Sequence, residues 1–239
     1  SVLDTLLEKS IATLRDAAAP PERSQIDLIC AGLAALRPLV PIAVLAEMSG
    51  VNPDLVRSFA LDLGRPLVVN EGTIQFFDEP AESWFRKRFK PAPSKLGSFI
   101  AQLSDLSSSN AYVAGVLPQL MLEAGQFSEL VDLALTSSGL PDSGPVERRD
   151  IELQRLQFAL KASLRIRRYP EAAKLALKAG GESAGDERQR ALLQENADLV
   201  SAFMDSNGVQ EIVSRRTFGS GWIGSHHVYE ATILSGHAD

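Results

Sequence analysis

The chain has 239 residues, 45% hydrophobic and 23% charged, the balance of an ordinary globular protein long enough for a sizeable core and for two domains. A formal charge of -6 and a pI near 5.2 run against a dedicated nucleic-acid binder, whose footprint is basic. A single cysteine excludes an internal disulfide; no apolar stretch reaches the roughly 18 residues of a membrane span, and the N-terminus lacks the basic-then-apolar order of a signal peptide. The expected compartment is the cytoplasm.

From the first residues, Val2, Leu3, Leu6, Leu7, Ile11 and Leu14 recur at helical spacing, and the chain stops at Asp239 just after Ile233 and Leu234. Both ends read as cuts in a longer protein, with residues 1–25 a helical segment and linker. Ile26, Ile29, Cys30, Leu33 and Leu36 predict a helix ending near Pro38, with Cys30 a buried core thiol on its apolar face. Ile42, Leu45 and Met48 predict a second, short helix, closed by Gly50 in a left-handed conformation. A third opens with Asn52 as cap and Pro53 at the first helical position, and lines up Leu55, Val56, Phe59, Ala60 and Leu63 before Gly64. Leu67 to Val69 and Thr73 to Phe77 are strand-like, joined by Asn70, Glu71 and Gly72, and a last helix near Pro80 carries Trp84, Phe85 and Phe89. Three helices, a hairpin and a closing helix in this order spell a winged helix-turn-helix domain over residues 26–90, the hairpin being the wing.

From Pro91 to Ser94 the composition shifts to a linker, and residues 91–239 show helical patterns only. Predicted helices cover 95–107, 109–124, 127–137, 146–167, 170–179, 186–205 and 208–216. Phe127, Glu129, Leu133, Ala134 and Leu135 match Tyr169, Glu171, Leu175, Ala176 and Leu177 at a displacement of 42 residues. An aromatic at a tight turn followed by a helix with small residues resembles tetratricopeptide-type repeats, although 42 exceeds their usual period of about 34. The expected fold is therefore mainly α, a winged helix followed by an α-solenoid that is incomplete at its C-terminal end. Stacked repeats leave a concave surface for a protein or peptide, and Phe127, Tyr169, Arg165 and Arg168 are the candidate contacts. The plainer alternative is an array that only packs against the rest of its parent.

Several patterns resemble chemistry without its context. Gly219, Gly221 and Gly224 spell the dinucleotide fingerprint, but helices precede it where a strand should, and too little chain follows for the expected acid. His226, His227 and Glu230 lack the further ligands of a zinc site, and with His237 the only other histidine no catalytic triad has a candidate outside the terminal segment. Arg86, Lys87, Arg88 and Lys90, and Arg165, Arg167 and Arg168, read as solvated faces or helix C-terminal charges. The third helix of the winged domain carries one cation, Arg57, against Asp54 and Asp62, and the wing adds Glu71, which disfavours docking on a polyanion.

The segment from Phe76 through Asp78, Pro80 and Trp84 to Arg86 resembles the winged-helix ending of bacterial STAND-class ATPases of the NACHT and NB-ARC kind, in which a lid-like helical segment, a winged helix and a repeat array follow a P-loop domain. The resemblance covers most of the chain and implies a region that holds the parent in an ADP-bound state until a ligand on the array releases it. Many members carry a Met-His-Asp motif after the wing; here Phe76, Phe77 and Asp78 stand in its place, leaving Asp78 as the candidate near a nucleotide of the parent. This chain has no P-loop motif, so no cofactor, catalysis or metal is expected of it, and ATP or ADP only of the parent. The resemblance implies contact with an upstream NTPase domain as well as a partner on the array. The second reading is a transcription regulator with a DNA-binding winged helix and an effector-binding array. A third is a scaffold subunit of the proteasome-lid type, in which the array precedes the winged helix, the reverse of the order here.

Overall fold

The computed structural model describes residues 2–195 together with Val228, Ala231 and Ser235. Its contacts divide the chain into two compact units, one reaching Leu175 and one beginning at Ala176. Among the described residues there are ten α-helices and one three-stranded antiparallel sheet. The chain is mainly helical.

Helix α1 (Val2–Ala17) buries Leu7 and Ile11 against its neighbours. Helix α2 (Pro20–Ala35) starts at Pro20, inside the stretch read as linker, because the two prolines occupy its first turn, where no N–H is needed, and the Glu22 carboxylate accepts the Ala19 N–H at 3.0 Å. Its first turn is exposed, so the apolar periodicity begins only where burial begins, at Ile26. Strand β1 (Val40–Pro41) and helix α3 (Ile42–Ser49) follow. Gly32 of α2 faces α3 so closely that a Cβ there would run into the ends of Leu45 and Met48. Helix α3 closes on Gly50 at φ 64°, and helix α4 (Pro53–Leu63) opens with the Asn52 side chain accepting the Asp54 N–H at 2.8 Å. These ends match the sequence expectation.

Strands β2 (Leu67–Asn70) and β3 (Thr73–Phe76) form a hairpin whose two loop residues, Glu71 and Gly72, both take positive φ, the turn that matches strand twist. Strand β1 pairs with β3 through Val40↔Ile74 and Pro41↔Thr73, giving the order β1-β3-β2. The sequence did not signal β1: two residues are too few to alternate, and a proline argues against a strand unless it lies at an edge, as Pro41 does. The exposed Leu39 just before it sits at φ 63°, a strained conformation for a branched side chain. Helix α5 (Glu79–Arg88) then lays Phe85 into the core, with Phe76, Trp84 and Phe89 around it at centroid distances of 5.2 to 5.4 Å.

The stretch Pro91–Ser94 lies within the first unit. It leads into α6 (Pro93–Leu103) and a 3-10 turn at Ser104–Leu106, which replaces the last turn expected of that helix. Helices α7 (Ala111–Ala124), α8 (Phe127–Thr136) and α9 (Pro145–Arg165) complete the unit together with the start of α10 (Tyr169–Glu195). Helix α6 packs on α3 and α7, and α9 packs on both α7 and α8. Buried Arg155 of α9 donates to the Ser138 and Gly139 carbonyls and so holds the loop between α8 and α9. Helix α10 runs on through Gly180 and Gly181, where the sequence predicted a break; each glycine costs about 1 kcal/mol against alanine, and the helix formers around the pair sustain it.

The second unit contains the rest of α10 to Glu195, with Val228, Ala231 and Ser235 also helical. The predicted helix at 208–216 and the end of that at 186–205 lie outside the described residues.

Gly32→Val should lower stability by about 1–3 kcal/mol, because the Leu45 and Met48 side-chain ends it meets are themselves fully buried and must be pushed into a packed core. A urea titration checks this: the midpoint falls with the slope unchanged.

Candidate partner-binding surfaces

The C-terminus of α2 is the point where the sheet-bearing segment meets the later helices. Arg86 of α5 donates from Nη1 to the Ala34 carbonyl at 3.0 Å and from Nη2 to the Leu36 carbonyl at 2.8 Å, while its Nε is held by Glu82 at 2.8 Å. The Tyr112 hydroxyl of α7 donates to the Arg37 carbonyl at 2.7 Å. Arg37 itself reaches the amide oxygens of Gln119 on α7 at 3.2 Å and Gln154 on α9 at 2.7 Å, with its guanidinium 5.9 Å from the centre of the Phe158 ring. Burial pushes the Tyr112 phenol above its ordinary pKa, with Arg37 and Arg86 pulling the other way, and burial lowers that of Arg37. These groups fix geometry.

The turn between α7 and α8 and the turn between α9 and α10 are built alike. Gly125 and Arg167, 42 residues apart, both take positive φ. The Gln126 N–H donates to the Met121 carbonyl and the Arg168 N–H to the Ser163 carbonyl, each at 2.9 Å, again a displacement of 42. Phe127 and Tyr169 are the first residues of the helices that follow. The 42-residue match in the sequence is therefore a match of backbone hydrogen bonding at the two turns.

Of the four residues expected at a partner surface, the fold brings Phe127 and Arg165 together, the guanidinium 5.7 Å from the ring centroid. Arg168 bridges Asp132 of α8 at 3.2 Å and Glu171 of α10 at 3.0 Å, and these hydrogen bonds raise its pKa and lower that of Glu171. Tyr169 is 61% exposed. Arg168 is thus engaged within the fold, whereas the Phe127–Arg165 stack and Tyr169 remain open to a partner. Asp78 is the N-cap of α5, its Oδ1 accepting the Ala81 N–H at 2.8 Å.

A second surface was not anticipated from the sequence. Between the C-terminal end of α4 and strand β2 lies a groove of about 490 Å³ lined by Ala60, Leu61, Arg65, Val68, Val69 and Phe77. Leu61 is 63% and Phe77 71% exposed, so both apolar side chains meet solvent beside the hairpin. The periodicity of α4 gave no warning, because Leu61 lies off its buried stripe and Phe77 reads as one more strand residue.

Among the described residues no group of three or more potential ligands could hold a metal ion, and no helix is long and apolar enough to cross a membrane. Gly219, Gly221, Gly224, His226, His227, Glu230 and His237 lie outside the described residues. No protein-family model matches the chain, and no curated protein matches it.

Burial, with a smaller push from Asp27, raises the Cys30 thiol far above its ordinary range, and the Tyr112 phenol is raised as well. A raised folded pKa stabilises at neutral pH and loses its contribution as pH climbs, so stability should fall from about pH 8.5, where an unfolded thiol ionises, and more steeply from about pH 10. Urea midpoints across pH 8–11 test this: Cys30→Ala should flatten the first limb and Tyr112→Phe the second. At pH 7, Tyr112→Phe should cost about 1 kcal/mol through the hydrogen bond lost at the Arg37 carbonyl.

Proposed function

We propose that this chain is the non-catalytic regulatory and protein-sensing region of a STAND-like signalling ATPase. In this reading α2 to α5 with the sheet are a winged helix that clasps an upstream NTPase domain, and the helices from α6 onward begin a tetratricopeptide-like array for a protein or peptide ligand. The helix–helix–helix–hairpin order, and the strand β1 that ties the hairpin back to the connection between α2 and α3, support the winged helix. The two turns of identical hydrogen bonding support the repeat.

The observation that carries the clasp is the groove beside α4. A helix that reads DNA turns cations and amides outward. Here that flank offers Leu61 and Phe77 around an apolar groove, and α4 sets Arg57 against Asp54 and Asp62. Apolar surface of this kind gains from covering by protein, not by a polyanion. Arg86, Tyr112 and Arg37 join the winged segment to α7 and α9, a path by which a ligand on the array would act on the clasp.

In the full-length parent, Leu61→Asp and Phe77→Asp should speed release of bound ADP by about three- to tenfold, since each removes an apolar contact from the clasp. Unchanged release in both variants would remove the clasp, and absence of a P-loop upstream would remove the ATPase reading. This chain should show no affinity for duplex DNA at low salt; binding that weakens with salt would establish the transcription-regulator reading instead.

A further inference from the structure

We propose that the connection over residues 37–39 is a strained strap that sets two attachments against each other, the hold of α7 and α9 on Arg37 and the pairing of β1 with the hairpin. Leu39 lies at φ 63° with its side chain 55% exposed. Three other non-glycine residues among those described take positive φ, and each sits in a turn that calls for it: Glu71 in the hairpin loop, Ser137 capping α8, and Arg167 in the turn before α10. Leu39 caps no helix and closes no hairpin. A left-handed conformation lowers the population of an L-residue by about five- to thirtyfold, and a leucine side chain turned to solvent gains nothing by burial in exchange. Strain that persists without such a gain is imposed by the surrounding structure.

An anchor stands on either side of it. Before Leu39, the Tyr112 hydroxyl donates to the Arg37 carbonyl at 2.7 Å and so fixes the plane of the peptide joining Arg37 to Pro38, while the Arg37 guanidinium reaches Gln119 and Gln154. After it, buried Val40 pairs with buried Ile74, Pro41 pairs with Thr73, and the Ile42 N–H donates to the Gly72 carbonyl at 2.8 Å. Between the anchors only Leu39 is free to turn. The Pro38 ring holds its own φ at about −65°, and a residue before proline, here Arg37, is kept out of the helical region. Val40 and Pro41 are committed to the ladder. The mismatch between the two anchors therefore collects at Leu39, and it relaxes only when one of them gives way. The attachments are antagonistic: loosening Arg37 from α7 tightens β1 on the hairpin, and loosening β1 tightens the hold on Arg37. A ligand that draws α7 from Arg37 would thereby secure the hairpin, a sign of coupling that an unstrained link does not give. The strap belongs to this chain alone and rests on neither the clasp nor the repeat.

A double-mutant cycle on the folding equilibrium, measured by urea titration of the chain, tests the strap. Tyr112→Phe releases the Arg37 carbonyl, and Leu39→Gly removes the strain because glycine takes positive φ freely. In the native chain Tyr112→Phe loses a hydrogen bond but lets Leu39 relax; in the Leu39→Gly background only the loss remains. Tyr112→Phe should therefore lower the folding constant about threefold more in that background than in the native chain. Leu39→Asn, which also tolerates the left-handed region, should reproduce the cycle. The coupling between the amide and Cα protons of Leu39 gives a second readout, and in Tyr112→Phe it should move to that of an ordinary negative φ. Additive effects or a cycle of the opposite sign overturn the proposal, and so does a Leu39 that keeps its positive φ once Tyr112 is replaced.

Discussion

The structure turns on what happens where α2 stops. A helix leaves its last carbonyls without partners, and here they cannot be left to water, because α5 and α7 press against that end. Side chains from both neighbours take them up: Arg86 spans the Ala34 and Leu36 carbonyls, and the Tyr112 hydroxyl takes that of Arg37. An arginine suits the place, since its flat fork meets two carbonyls and the Glu82 carboxylate together, which a lysine ammonium on a flexible stem does less well. The unmet demand of one helix terminus thereby orients α5, α7 and, through Arg37 and Gln154, α9. Everything proposed about communication between the sheet-bearing part and the later helices depends on this point.

How much of this the sequence disclosed follows from what each signal physically reports. Caps and glycines report local backbone need, so Asn52, Gly50 and the turn at Glu71–Gly72 were placed correctly from residue type alone. Apolar periodicity reports burial, not helicity. It located the core of α2 but missed the solvent-facing turn at Pro20, and it broke α10 at Gly180 and Gly181 although the backbone continues. Strand β1 carried no signal because its existence is a property of the hairpin it joins. The groove was hidden for a similar reason: Leu61 and Phe77 are ordinary apolar residues until the fold leaves them uncovered.

Charge proved the harder property to read. Arg165 and Arg168, members of a run read as solvated, were candidate partner contacts, yet Arg168 is held by Asp132 and Glu171 while Arg165 lies over Phe127, and only position and partners distinguish the two. Arg86 belonged to a cluster expected to be solvated, and it serves as an internal cap. Counting cations along a chain therefore says less about partners than the number of carbonyls and carboxylates each one already holds.

Arg155 sets α9 apart from α7, the helix that the 42-residue displacement places in correspondence with it. The displacement of 42 residues that superimposes one turn on the next carries Val113, buried in α7, onto Arg155, buried in α9. The two positions correspond under that displacement but are opposite in what they require, a plain apolar contact in one and two loop carbonyls in the other. Were α9 to take the place of α7, a guanidinium would enter a site built for a valine, and the loop at Ser138 and Gly139 would lose its anchor. Helices that look interchangeable in outline are thereby made distinct, because only α9 carries the side chain that holds the loop before it.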